Sequence, residues 1–280
     1  MEKIPVSILG ATGMVGQRFA VLLDNHPWFS VVALTGSDRS IGRPYEECCR
    51  WVLADPMPDY ARPMIVQPTE PDGESAVAFS ALPADLAREA EPKYARAGTG
   101  VCSNASAFRQ EPDVPILIPE INPDHIQMIE VQRSHRGWKG FIVTNPNCTS
   151  TGLTMAFRPI LDSFGIRRSI VVSMQALSGA GYPGVASLDI LDNVLPNIGG
   201  GEEEKVESEP RKMLGTFDRE KIVPAPFLLS AHTNRVAVSD GHMVCASVEL
   251  DRRAAPEEVR AALERFESPR PVRELPSAPE

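Results

Sequence analysis

Apolar positions along the first half of the chain switch repeatedly between two periods. Residues 4–9 form a short apolar run ending at Gly10; beyond it Met14, Val15, Phe19, Leu22 and Leu23 recur at helical spacing, and residues 31–35 are strand-like again. That succession is a βαβ unit. Further strands are expected at 77–80, 100–103, 116–118 and 141–144, with a helix over 84–97 in spite of Pro92. Strands that alternate with helices imply a mostly parallel, doubly wound sheet, because each crossover helix covers a sheet face.

The pattern changes after Thr144. Residues 169–175 and 243–250 read as strands, and the polar–apolar alternation of the latter predicts a sheet with one covered face. Pro256 opens a helix with Glu257 and Glu258 in its first turn and with Val259, Leu263 and Phe266 as its apolar stripe. The expected fold is α/β, with a parallel sheet over residues 1–145 followed by a second, α+β domain over 146–280. Residues 267–280 are Pro-rich and carry no core pattern, and the chain has no internal repeat.

With 280 residues, 42% of them hydrophobic, the chain is long enough for two domains with real cores. Its formal charge of −9, without a Lys/Arg cluster, excludes a nucleic-acid or anionic-membrane partner, since both need a positive footprint. A small-molecule substrate is expected. There is no run of roughly 20 apolar residues, and Met1-Glu2-Lys3 leads straight into a strand without a signal-peptide core, which places the chain in the cytoplasm. The five cysteines are an odd set without C-x-x-C spacing, so neither disulfides nor a metal site is expected. One or two thiols should be chemically special and the rest buried small hydrophobes.

Two local motifs carry chemistry. Gly10-Ala11-Thr12-Gly13-Met14-Val15-Gly16 lies between strand and helix, making the first domain Rossmann-type. Gly10 and Gly13 permit a tight turn and close phosphate approach, Gly16 lets the helix pack on the strand, and amides at the helix start attract a pyrophosphate. Gly10, Thr12, Gly13, Met14, Val15 and Gly16 are therefore candidate dinucleotide-binding residues; an ordinary tight turn is the plain alternative. At the end of the second strand, Thr35, Ser37, Arg39 and Ser40 offer hydroxyls and a guanidinium for a 2′-phosphate, favouring NADP over NAD. Asp38 stands against this, and a solvated polar loop is the alternative. The second motif, Asn145-Pro146-Asn147-Cys148-Thr149-Ser150-Thr151, puts Cys148 at a helix start, where the dipole should lower the thiol pKa from about 8.5 and make a nucleophile. A structural cysteine fits the local pattern equally well.

The two readings narrow when three segments are taken together. Asn145-Pro146-Asn147-Cys148, then 175–184 (Gln-Ala-Leu-Ser-Gly-Ala-Gly-Tyr-Pro-Gly), then 234–242 (Asn-Arg-Val-Ala-Val-Ser-Asp-Gly-His) resemble, in order, the signatures of the aspartate-semialdehyde dehydrogenase family, and the segment 182–193 resembles its archaeal and fungal branch. The resemblance runs from about residue 4 to about residue 266. It implies Cys148 as the nucleophile that forms a thioester, His242 as acid/base and Gln175 as the residue orienting substrate beside the thiol. It implies Arg235 as the clamp on the substrate α-carboxylate, Glu202 for the amino group, and Lys205, Asn104 and Arg109 for phosphate. The Glu assignment is open by one or two residues, because 202–209 is so acidic that a solvated helix face is its natural alternative. Ser178 and Gly179 join the cofactor-binding residues. The implied reaction is NADPH-dependent reductive dephosphorylation of aspartyl 4-phosphate to aspartate semialdehyde, on the route to lysine, threonine and methionine, by a homodimer or homotetramer built through the second domain.

Family members continue for several tens of residues beyond the point corresponding to Glu280, with a helix returning to the nucleotide-binding domain. A truncated form of low activity, or a catalytically silent one, is therefore an alternative expectation. So is a related acyl reductase with the same cysteine chemistry, such as malonyl-CoA reductase or N-acetylglutamyl-phosphate reductase.

Overall fold

A computed structural model describes residues 2–276, which form two units. The first extends to Pro115 and includes Ile126–Asn145 and Arg219–Lys221; the second comprises Ile116–His125, Pro146–Asp218 and the residues from Ile222 onward. The chain thus enters the second unit at residues 116–125 before the first is complete.

The first unit contains β1 (Ile4–Leu9), α1 (Met14–Leu22), β2 (Phe29–Leu34), α2 (Tyr45–Cys48), β3 (Val77–Ser80), α3 (Ala84–Ala97), β4 (Gly100–Ser103), α4 (Met128–Arg136) and β5 (Phe141–Thr144). All its strand pairs are parallel, in the order β2-β1-β3-β4-β5. The order reverses at β1, so the Gly10 loop emerges at the crevice where such sheets bind ligands. Apolar side chains fill both faces: Val6, Ile8 and Leu34 pack with Ala20 and Tyr45 in one cluster, and Leu9, Val101 and Ile142 with Ala87 and Tyr94 in another. Burial on both faces explains why these strands read as continuous apolar runs.

Residues 116–118 do not form the expected strand; only Ile116 makes an isolated bridge. The Asn122 side chain accepts the Ile118 N–H and donates to the Ile116 carbonyl, both at 2.8 Å, so a side-chain amide replaces a ladder partner. Ile116, Ile118 and Ile121 enter the core of the second unit.

That unit contains α5 (Cys148–Phe164), β6 (Ile166–Gln175), α6 (Ser187–Ile190), β7 (Leu195–Pro196), α7 (Glu202–Met213), β8 (Thr216–Phe217), β9 (Ile222–Val223), β10 (Leu228–Arg235), β11 (Met243–Leu250), α8 (Pro256–Glu264) and α9 (Arg270–Arg273). Its main sheet runs β11-β6-β10-β7, with β6 parallel to β10 and antiparallel to β11. Leu153 and Phe157 of α5 and Val206 and Met213 of α7 pack with Val171 and Ala231 of the sheet. The opposite face stays open: Ile170, Leu228 and Met243 are 56%, 67% and 63% exposed.

β11 alternates as expected, with Val244 and Val248 turned to the core, but it is an edge strand. Cys245 therefore lies exposed on the open face, contrary to its expected burial. Within 267–280, α9 forms and buries Val272, so part of this segment does carry core; residues 277–280 lie outside the described residues. Among the described residues no helix is long and apolar enough to cross a membrane, and no group of three or more His, Cys, Asp or Glu is placed to hold a metal ion.

Candidate active site

Cys148 is the first residue of α5, and Asn147 is its N-cap: the Asn147 Oδ1 accepts the Thr149 N–H at 2.9 Å and the Ser150 N–H at 3.2 Å. His242 meets the nucleophile across the cleft, with Nε2 3.1 Å from Sγ. The Ala176 N–H donates to His242 Nδ1 at 3.1 Å, so the neutral ring carries its proton on Nε2, aimed at the sulfur. In this tautomer the ring stabilises a thiolate as a hydrogen-bond donor.

Three strand ends bring the other groups to this point. β6 ends at Gln175 and its parallel neighbour β10 ends, in register, at Arg235; β11, antiparallel to β6, begins one residue after His242. Gln175 is buried, with its Nε2 donating to Ser173 Oγ at 3.3 Å, and Arg235 is buried, with Nη1 donating to the Ala176 carbonyl at 2.8 Å. Gly179 completes the wall. A Cβ there would stand 2.8 Å from Arg235 Nη1 and 2.9 Å from His242 Cε1, so only glycine lets these side chains lie as they do. The Ser178 N–H donates to the Ser239 carbonyl at 3.0 Å, strapping this turn to the loop that leads into His242. The resulting cavity of about 550 Å³ is lined by Asn147, Cys148, Gln175, Glu202 and Arg235, with Val185, Leu195 and Ile198 as apolar wall.

Of the acidic run that opens α7, Glu202 is the residue that lines the cavity. Its carboxylate accepts the Asn147 amide at 2.7 and 3.0 Å and lies 3.6 Å from Lys205 Nζ. Glu203 and Glu207 turn away, accepting backbone N–H groups of Thr233 and Ala231 at 3.0 Å each. Thus this face of α7 is not merely solvated; its carboxylates hold backbone.

The Cys148 thiol is pushed up from its ordinary range, not down as its helix position suggested. Surrounding protein strips water from the sulfur even though the residue reaches the cavity surface, and the Glu202 carboxylate adds a like-charge penalty on the thiolate; the amides at the helix start pull the other way and are outweighed. His242 is pushed down from its ordinary value, first by burial and then by the Arg235 guanidinium, with Glu202 opposing. The ring is therefore neutral near pH 7, while thiolate accumulates only on the alkaline side. Iodoacetamide labelling of Cys148 in the ligand-free protein is expected to climb with pH and still be climbing at about pH 8.5, the ordinary thiol midpoint. A plateau reached below about pH 7 would mean that the helix start dominates after all.

In the first unit the Gly10 loop has the shape of a phosphate cradle. Gly10 takes a left-handed φ of 73°, and a Cβ on Gly16 would lie 2.3 Å from the Gly10 carbonyl oxygen, so neither position admits a side chain. α1 starts at Met14 after Gly13 without a side-chain cap, leaving the amides of its first turn, including Val15, open to an anion. Gln17, absent from the candidate residues, is buried and braces the loop by donating to the carbonyls of Thr12 and Arg50. Its polarity on a helix face turned to the core was the available signal.

Thr35 is placed differently from expectation. It is buried, and its hydroxyl accepts the Gly10 N–H at 3.3 Å and the Thr69 hydroxyl at 3.0 Å, so it supports the loop from behind. Ser40 is buried as well, whereas Ser37 and Arg39 are exposed at this strand end. Ser37 and Asp38 line a second cavity of about 390 Å³ with Gly36, Thr69, Leu82 and Leu86. The glycine cradle, uncapped helix and exposed Ser37 and Arg39 fit a dinucleotide. Asn104 follows β4 in this unit, where its carbonyl accepts from Arg109 Nη2 at 2.9 Å and its side-chain oxygen faces the Asn145 amide at 3.4 Å.

Comparison with known proteins identifies the family. Residues 5–129 match the family model of the semialdehyde dehydrogenase NAD-binding domain and residues 157–279 that of the semialdehyde dehydrogenase dimerisation domain. The chain is 52% identical over 279 residues to the aspartate-semialdehyde dehydrogenase of Archaeoglobus fulgidus, covering 99% of this chain and 80% of the relative. It is 43% identical over 270 residues to that of Schizosaccharomyces pombe, covering 94% and 75%. The crystal structure of the Candida albicans aspartate-semialdehyde dehydrogenase with NADP matches at a TM-score of 0.86 and 38% identity, over 95% of this chain and 77% of that one.

Proposed function

Since the chain belongs to the aspartate-semialdehyde dehydrogenase family, we propose that it interconverts L-aspartyl 4-phosphate and L-aspartate 4-semialdehyde with NADP through a thioester on Cys148. The observation that carries the reading is the 3.1 Å contact between His242 Nε2 and Cys148 Sγ, the thiol lining a cavity with Gln175, Glu202 and Arg235. The thiolate attacks the acyl carbon and phosphate leaves. The Nε2–H of His242 steadies the sulfur as attacking group and, in the last step, as leaving group. Arg235 presents its remaining guanidinium donors to the α-carboxylate and Glu202 its carboxylate to the amino group, while Lys205 serves the phosphate. Gly10, Gly13 and Gly16, the amides of Thr12, Met14 and Val15, and the exposed Ser37 and Arg39 hold the dinucleotide. NADPH, when bound, supplies the hydride that reduces the acyl carbon.

The deciding assay is phosphate-dependent NADP⁺ reduction with aspartate semialdehyde, run beside NADPH oxidation with malonyl-CoA. Turnover of the second substrate alone would assign a related acyl reductase.

The open face of the second sheet is proposed to be the homodimer interface. Ile170, Leu228 and Met243 stand on it within the segment that matches the dimerisation-domain model. Ile170→Glu combined with Met243→Lys is expected to convert the protein to monomers in sedimentation velocity. An assembly of unchanged size would place the interface elsewhere, and a halved tetramer would mean that this face joins two dimers.

A further inference from the structure

Glu209 is a charged side chain with no solvent exposure, seven residues beyond Glu202 and so two turns along the same face of α7. One of its carboxylate oxygens accepts the backbone N–H of Asn147 at 2.6 Å, across 62 residues of sequence. A water would satisfy this amide without holding it in place. What Glu209 adds is an acceptor mounted on α7, which fixes the amide relative to the helix.

We propose that Glu209 is a positioning residue for Cys148, acting through Asn147. With Glu209 on its N–H, Glu202 on its side-chain amide, and its own Oδ1 on the amides of Thr149 and Ser150, Asn147 is tied on every side. Its carbonyl is held as well, by the Thr151 N–H and hydroxyl at 2.9 Å each. These ties fix the backbone of the residue just before the nucleophile. The 3.1 Å approach of Sγ to His242, which belongs to the far end of the β10–β11 connection, depends on the direction this turn takes. An ångström of misplacement at such a contact is enough to slow a reaction about 10²-fold. The acids of α7 thus divide the work: Glu202 and Glu209 set the nucleophile, and Glu203 and Glu207 pin the strand that ends in Arg235.

The proposal rests on Cys148 being the nucleophile, and its test uses the full chain. Iodoacetamide labelling of Cys148 would be followed across pH by peptide mass spectrometry, with exposed Cys245 as internal reference, beside steady-state kinetics with aspartate semialdehyde. Glu209→Gln keeps an acceptor in place and is expected to stay within about threefold of the parent; Glu209→Asp and Glu209→Ala are expected to lose about tenfold or more in both labelling rate and kcat. KM should stay within about twofold and Cys245 labelling should not change. A Glu209→Asp protein that melts cooperatively, yet labels at the parental rate and with the parental pH profile, overturns the proposal, as does a loss confined to KM. Should Glu209→Ala fail to fold, the Gln and Asp pair still decides. Cys148→Ser with full activity would strike the nucleophile reading instead, leaving the labelling series to judge the positioning by itself.

Discussion

Cys148→Ser is expected to lower kcat/KM for phosphate-dependent aldehyde oxidation by at least about 10⁴-fold while leaving NADP binding to the first unit intact. The size of the loss follows from the tautomer at His242. Because the Ala176 N–H occupies Nδ1, the neutral ring has its proton, not a lone pair, directed at residue 148. A thiol sheds its proton to solvent on the alkaline side and is then steadied by that donor. A serine hydroxyl, whose pKa lies far above any working pH, would need a base, and the nearest ring nitrogen cannot serve as one. The acyl-enzyme would also be an ordinary ester, a poorer hydride acceptor than a thioester. Initial rates from pH 6 to 10, with NADP affinity measured by fluorescence titration, check this. More than about 1% of parental activity in the serine protein would show that His242 flips to the other tautomer or that the reaction does not run through residue 148.

Arg235→Lys, although it preserves charge, is expected to lower kcat/KM by about 10²–10³-fold, chiefly through KM, with Cys148 labelling unchanged. Arg235 is 7% exposed, and one of its terminal nitrogens is committed to the Ala176 carbonyl. The remaining donors keep the planar fork that matches a carboxylate; a lysine head satisfying the same carbonyl would have no second, fixed donor to offer. Gly179 leaves the room that Arg235 Nη1 occupies, and a lysine there would leave part of that space empty. Steady-state kinetics against aspartate semialdehyde separate KM from kcat. An unchanged KM would remove Arg235 from substrate recognition and make its bond to Ala176 its whole role.

Much of the first unit was readable because its determinants are local. β1, β3, α3, β4 and β5 lie where their apolar runs and helical period place them, and Gly10 and Gly16 sit where a positive φ and a close carbonyl call for glycine. The start of α5 at Cys148 was legible for the same reason, since Asn147 caps it from the adjoining position. Polar segments misled. In α7 Glu202 was legible only beside the alternative of a solvated acid face, yet four of the helix's carboxylates hold backbone N–H groups or the Asn147 amide, partners that lie tens of residues away. Thr35 reads as a phosphate ligand, yet it is buried behind the loop it was meant to accompany.

The sequence by itself determined the alternating sheet and helix order, the glycine cradle, the helix start at Cys148 and the three ordered segments that mark the family. Short-range sterics and hydrogen bonds suffice for the first three. The tertiary structure alone decided that Gln175, Arg235 and His242 share one end of one sheet, because that follows from β10 pairing parallel and β11 antiparallel to β6. It also decided the sign of the shift at Cys148: a helix start is a local property, but the burial and the Glu202 carboxylate that outweigh it come from packing.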